Sequence, residues 1–131
     1  MEQKTELMLG ICGEKTDVVS ETNTAATHGS GLLPVFSTPA MVGLMEGAAV
    51  EALKGKLPEG FSSVGIEISI KHLAASPLGM KVRAKAVLSE IDGRKLTFKV
   101  EAFDDTQKIG EGSHWRFVID VEKFMQKAQK K

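Results

Sequence analysis

The second half of the chain restricts its fold most, because four successive runs there alternate apolar and polar residues. In GIEISIKHLA (65–74), Ile66, Ile68 and Ile70 fall on one side and Glu67, Ser69 and Lys71 on the other. In GMKVRAKAVLSEI (79–91), Met80, Val82 and Ala84 oppose Lys81, Arg83 and Lys85. RKLTFKVEAF (94–103) puts Leu96, Phe98 and Val100 together, and IGEGSHWRFVIDV (109–121) closes the series. A period of two is the signature of half-buried strands. Asp92-Gly93 is a hairpin turn signal, and Asp104-Asp105-Thr106-Gln107 turns the chain again. Strands joined by short turns pair antiparallel, with one face on a core and the other free.

The buried face needs a cover, and FSTPAMVGLMEGAAV (36–50) begins one. Pro39 suits a first helical position, which makes Thr38 the N-cap. The helix runs to about Lys54, and Gly55 stops it. KTDVVSET (15–22) reads as one further strand before the helix, while residues 1–12 hold a short strand or stay irregular. HGSGLLP (28–34) and KLPEGFSS (56–63) are loops, and EKFMQKAQKK (122–131) is a short polar helical tail. The result is an α+β arrangement. A five- to six-stranded antiparallel sheet wrapped around one long central helix is the hotdog fold; an antiparallel sheet of another topology is the alternative. At 131 residues the chain is long enough for one core and too short for two, so residues 1–131 read as a single domain.

Seventeen basic and seventeen acidic side chains cancel, which leaves no electrostatic footprint for nucleic acid or an anionic membrane surface. The basic tail from Lys123 to Lys131 reads as a solvated helix end. No run approaches the roughly 20 apolar residues of a membrane span, and the N-terminus lacks a signal-peptide pattern. Cys12 is the only cysteine and has no intrachain partner. These features together imply a soluble, cytoplasmic protein.

On a helical wheel Met41, Val42, Leu44, Met45, Ala48, Ala49, Ala52 and Leu53 fill one wide arc, with Glu51 and Lys54 opposite. Glu46 falls between Leu53 and Val50, on the flank of the apolar arc. An ionised carboxylate there needs a partner, water or a raised pKa, and such carboxylates gather at functional sites. The plainer reading is a flank facing solvent or paired with a strand lysine or arginine. His72 continues the Ile66, Ile68, Ile70 face, so it points at whatever covers the sheet; the bland alternative is a hydrogen-bonded core histidine. Glu46 and His72 are a possible acid/base pair, within one subunit or across a dimer. Thr38 serves the helix as a cap, and its hydroxyl also suits a nucleophile or a water-positioning group beside the positive end of the helix dipole. His28 has no visible partner in its loop, and His114, alternating with Arg116, reads as solvent or interface. The three histidines and one cysteine show no metal-ligand spacing, and no phosphate-binding, dinucleotide or Gly-x-Ser-x-Gly motif is present.

The segments STPAMVGLMEGAA (37–49), GIEISIKHLAASPLG (65–79) and GEGSHWRFVIDVEKF (110–124) together resemble the hotdog acyl-CoA thioesterases of the fluoroacetyl-CoA thioesterase type. The similarity runs from about Thr16 to Phe124. It implies Thr38, Glu46 and His72 as the catalytic set. It also implies a substrate-binding set of Gly65, whose backbone approaches the thioester carbonyl, with Arg116, Leu32 and Phe36. Homodimers with sites at the subunit interface are implied, possibly paired again into a dimer of dimers. The implied activity is hydrolysis of a short-chain acyl-CoA thioester, with coenzyme A entering only as part of the substrate and with no cofactor or metal. Two departures separate the chain from fluoroacetyl-CoA specificity: Leu32 stands at the family's aromatic lid position, and Pro39 follows Thr38. A non-catalytic acyl-CoA or metabolite-binding hotdog is the alternative. Hydratase chemistry ranks last, because it calls for the histidine and the carboxylate on one short segment.

Overall fold

The structure, a computed structural model, describes residues 6–131. The first five residues of the expected N-terminal segment therefore lie outside it, and residues 6–11 are irregular. Five strands follow: β1 (Cys12–Val18), β2 (Phe61–His72), β3 (Lys81–Asp92), β4 (Lys95–Asp104) and β5 (Lys108–Asp120). They form one antiparallel sheet in the order β1-β3-β4-β5-β2. Helix α1 (Ala25–His28) precedes the 16-residue α2 (Thr38–Leu53), and α3 (Val121–Gln129) ends the chain.

Two of the expected hairpins form, β3–β4 and β4–β5, whereas β2 pairs with β5 at the far edge rather than with its chain neighbour β3. Asp92 pairs with Lys95, which leaves Gly93-Arg94 as a two-residue loop. Gly93 takes φ 61° and Arg94 does not go positive, the backbone of a type II′ turn, which needs a glycine first. At the next turn Asp104 holds the chain with its Oδ1, which accepts from the amides of Thr106 and Gln107.

Helix α2 covers the sheet with Met41, Leu44, Met45, Ala48, Ala49, Ala52 and Leu53, all buried. They meet Val82, Ala84, Ala86 and Leu88 of β3 and Leu96, Phe98 and Val100 of β4 in one core. The small residues on α2 let β1 come close. A Cβ on Gly13 would stand 2.3 Å from both the Ala48 carbonyl oxygen and the Ala52 nitrogen. Backbone lies against backbone there, so no side chain fits.

Three local expectations shift. Strand β1 occupies 12–18 rather than 15–22, because Ser20–Asn23 turns away, with the Asn23 carboxamide accepting from the Ser20 amide. Ser37, not Thr38, caps α2: its Oγ accepts from the Ala40 amide at 3.1 Å, which moves Pro39 to the second helical position. The missing proline N–H is equally harmless there, since the first-turn amides have no intrahelical partner. Strand β2 carries a bulge between Gly65 and Glu67. The bulge ejects Ile66, expected inward, to 51% exposure.

Candidate active site

The bulge sets the site. Gly65 pairs with Arg116 and Glu67 with Trp115, so the extra residue switches the inward parity of β2 from odd to even positions. Ser63 and Gly65 face α2 on one side of the bulge; Ile68, Ile70 and His72 do so on the other. Strict alternation would have given either Gly65 or His72 to the helix, never both.

The strand and α2 run in opposite directions, and they meet at two stations. At the first, Thr38 Oγ1 lies 2.7 Å from His72 Nδ1. Because Ser37 does the capping, the threonine hydroxyl is free for this contact. His72 Nε2 is buried without a hydrogen-bond partner among the described residues. Burial lowers the His72 pKa from the ordinary imidazole value, partly offset by the Ala74 backbone, so the ring is held neutral. With the ring proton on Nε2, Nδ1 accepts from the hydroxyl, which is the arrangement of a nucleophile and its base. A hollow of about 410 Å³ opens beside the pair, lined by Ala25, Val35, Phe36, Leu73 and Ala74 among others. Phe36 is thus a buried wall of the pocket. Leu32 is 94% exposed and does not line it.

The second station lies two turns along α2. A Cβ on Gly65 would come 2.9 Å from Glu46 Oε2, 3.2 Å from His114 Cε1 and 3.3 Å from an Arg116 terminal nitrogen. The absent side chain keeps a space open among these three groups. Glu46 is half-buried and makes no hydrogen bond or ion pair among the described residues; it faces Arg116 across that space. The expected pairing of Glu46 with His72 within one chain is therefore not formed. Eight residues of helix separate Thr38 from Glu46, about 12 Å along the axis.

His114 and Arg116 were expected at solvent or an interface, yet they are 1% and 7% exposed. Strand β5 lies between β4 and β2, and its even positions from Gly110 to Val118 face the helix. The polar character of the pair hid this, although the alternation with Val118 carried the signal. Arg116 Nε donates to Ser63 Oγ at 2.9 Å and its second terminal nitrogen donates to the Ser63 carbonyl at 3.1 Å. Burial disfavours the charge of Arg116, and Glu46 favours it.

No group of three or more metal-ligating side chains occurs among the described residues. His28 ends α1 as an exposed residue and does not line the pocket beside Thr38 and His72, and Cys12 is exposed and free. Helix α1 itself, capped by Thr24 and ended by Gly29, was not expected within its loop-like surroundings.

The model of the fluoroacetyl-CoA-specific thioesterase family matches residues 19–122. The fluoroacetyl-CoA thioesterase of Streptantibioticus cattleyicolor is 44% identical over 97 residues, which cover 74% of this chain and 70% of that protein. A solved structure of a fluoroacetyl-CoA thioesterase superposes with a TM-score of 0.88 at 36% identity, covering 95% of this chain and 97% of the other. A hot-dog-like protein from Thermanaerovibrio acidaminovorans gives 0.86 at 28% identity, covering 93% and 90%. With both stations lying inside the matched span, the chain belongs to the fluoroacetyl-CoA-specific thioesterase family and has its α+β hotdog fold.

Proposed function

We propose that this chain hydrolyses a short-chain acyl-CoA thioester to the free acid and coenzyme A. The observation that carries the reading is the 2.7 Å contact of Thr38 Oγ1 with His72 Nδ1 at the mouth of a pocket. Neutral His72 takes the hydroxyl proton as Thr38 Oγ1 bonds to the thioester carbonyl carbon. The Thr38 N–H is a first-turn amide with no partner among the described residues, since Pro39 has none and Ser37 occupies that of Ala40; it stands ready for the developing oxyanion. The carbon–sulfur bond then breaks, and the thiolate leaves with the proton from His72. Water attacks the acyl-threonine and gives a proton to His72; the acyl–Oγ1 bond then breaks, Thr38 Oγ1 takes that proton back from His72, and the acid leaves.

Glu46 enters from a second copy of the chain. Strand β2 is a 12-residue edge, and Val50, Ile66 and Leu73 stand about half exposed beside it. A long edge with apolar neighbours is covered in a stable protein. Two β2 edges pairing antiparallel about a two-fold axis near the bulge set His72 of one copy against the Ser63–Gly65 end of the other. That end holds Glu46, which orients His72 or activates the water. Coenzyme A is substrate only, and no cofactor or metal takes part. A dimer of dimers and a cytoplasmic location complete the reading, the latter supported by the unpaired Cys12. No helix among the described residues is long and apolar enough to cross a membrane.

Release of free thiol from a panel of acyl-CoAs tests the activity. The expected result is turnover of short acyl chains, lost in T38A. Tight acyl-CoA binding by calorimetry with no thiol release, from a folded dimer, overturns it in favour of a binding protein.

A further inference from the structure

We propose that His114 is a positioning residue: a neutral imidazole locked in one tautomer, it clamps the buried Arg116 guanidinium against the space left open by Gly65. The argument starts from what His114 touches. Its Nδ1 lies 2.8 Å from the Glu67 carbonyl oxygen, which can only accept, so Nδ1 carries a proton. Its Nε2 lies 3.1 Å from an Arg116 terminal nitrogen, which can only donate, so Nε2 carries the lone pair. Both conditions together define the neutral Nδ1–H form; a doubly protonated ring would turn a donor toward a donor.

With Ser63 holding Nε and one terminal nitrogen, His114 holds the other. Each nitrogen of the guanidinium is thus fixed by a separate acceptor, and the planar group has no freedom to swing. The nitrogen that His114 holds is the one 3.3 Å from the missing Gly65 Cβ, opposite Glu46. A free N–H of that nitrogen is left for whatever enters the space. The clamp reaches the bulge too, since the Glu67 carbonyl that fixes the imidazole belongs to the residue closing it. One ring therefore ties the bulge, the guanidinium and the open space into a single geometry.

Groups from every packed element face this ring. Arg116 is on its own strand, Glu46 on α2 and the Glu67 carbonyl on β2; the Phe98 ring from β4 lies 6.5 Å away between centroids. Burial lowers the His114 pKa; the Glu67 carbonyl opposes this, the Arg116 charge adds to it, and Glu46 opposes it. Protonation of His114 would release Arg116 from its acceptor and place two cations together, so acid opens the clamp.

The inference rests on the thioesterase reading only for its kinetic consequence, and the test separates the two. Nitrogen-15 NMR of the wild-type protein at pH 7.5, which needs no turnover, should show one buried imidazole protonated at Nδ1 alone, with Arg116 Nε–H protected from exchange. H114Q retains an acceptor and cannot titrate, whereas H114F retains bulk and offers no acceptor. In acyl-CoA hydrolysis H114F should lose about 10- to 100-fold in kcat with a KM change within about threefold, because a misplaced group costs rate more than binding. H114Q should recover most of kcat, and its kcat/KM should fall less steeply with acid than that of the wild type. A buried His114 protonated at Nε2 overturns the proposal whether or not the protein turns over acyl-CoA. So does a folded H114Q that has the steep acid limb of the wild type. Absence of wild-type turnover with the Nδ1–H signal present sinks the activity reading and leaves the clamp standing.

Discussion

At the level of single residues, the site turns on which hydroxyl does which job. Two candidates stand at the start of α2, and the cap falls to Ser37, leaving the Thr38 hydroxyl to His72. T38A should therefore lose at least about 100-fold in kcat while leaving helix stability nearly unchanged, and T38S should retain much of the activity, as read by thiol release and thermal melting. S37A should do the reverse, costing about 1 kcal/mol of stability through the lost cap. The pH sign follows from His72. Its pKa is lowered by burial, so the neutral base persists below the ordinary imidazole value near 6.5; kcat/KM falls as pH drops through the lowered pKa of His72, and protonation of His114 steepens that fall. Stability moves the same way. The unfolded chain binds protons at the ordinary value and the folded chain resists them, so the contribution of buried His72 and His114 is complete above the unfolded pKa and is lost as pH falls through the folded ones. Urea midpoints between pH 7.5 and pH 5 should decline accordingly. The residue type and helix position of Thr38 were legible in the sequence. The capping role of Ser37 is hidden in the sequence because Pro39 fits the first and the second helical positions equally well.

At the level of elements, alternation and turn chemistry located β3, β4 and β5 because each is buried on one face and solvated on the other. The same rule misled at β2, where one extra residue carries the pattern across two parities. A bulge leaves no composition signal in a run such as GIEISI, since Ile66 looks as apolar when ejected as when buried. The burial of His114 and Arg116 is hidden for the opposite reason: buried polar groups imitate a solvent face unless their partners are known. Close approach was hidden as well, since Gly13 resembles any strand glycine until β1 is laid on α2. There a side chain would meet backbone at Ala48 and Ala52, which cannot rotate away. G13A should force β1 off the helix and cost about 3 kcal/mol, because overpacked positions that cannot relax are the expensive ones. Denaturant unfolding should show a lower midpoint with an unchanged slope; an unaltered midpoint would mean the strand and helix can slide apart freely.

At the level of the whole molecule, the two stations pose a geometric question that one chain does not answer. Thr38 and His72 sit at the start of α2, while Glu46 lies about 12 Å further along the same rigid helix. If the carboxylate serves the Thr38–His72 pair, it comes from a second copy, and the free β2 edge is where that copy docks. This makes a prediction about mixtures of inactive proteins. T38A and E46A should each be nearly inactive as homodimers. A heterodimer formed after mixing and subunit exchange carries one site with both substitutions and one with neither. Random assortment makes half the dimers mixed, each with one intact site of two, so about one quarter of wild-type activity should return. If Thr38 and Glu46 served each other within one chain, every site in every mixture would lack one of them and no activity would return. I66D, which places a charge on the exposed bulge residue, should yield monomers by sedimentation and should abolish the recovery. Recovery without dimers, or dimers without recovery, would break the link between the edge strand and the shared site, whereas loss of both together ties the catalytic carboxylate to the assembly.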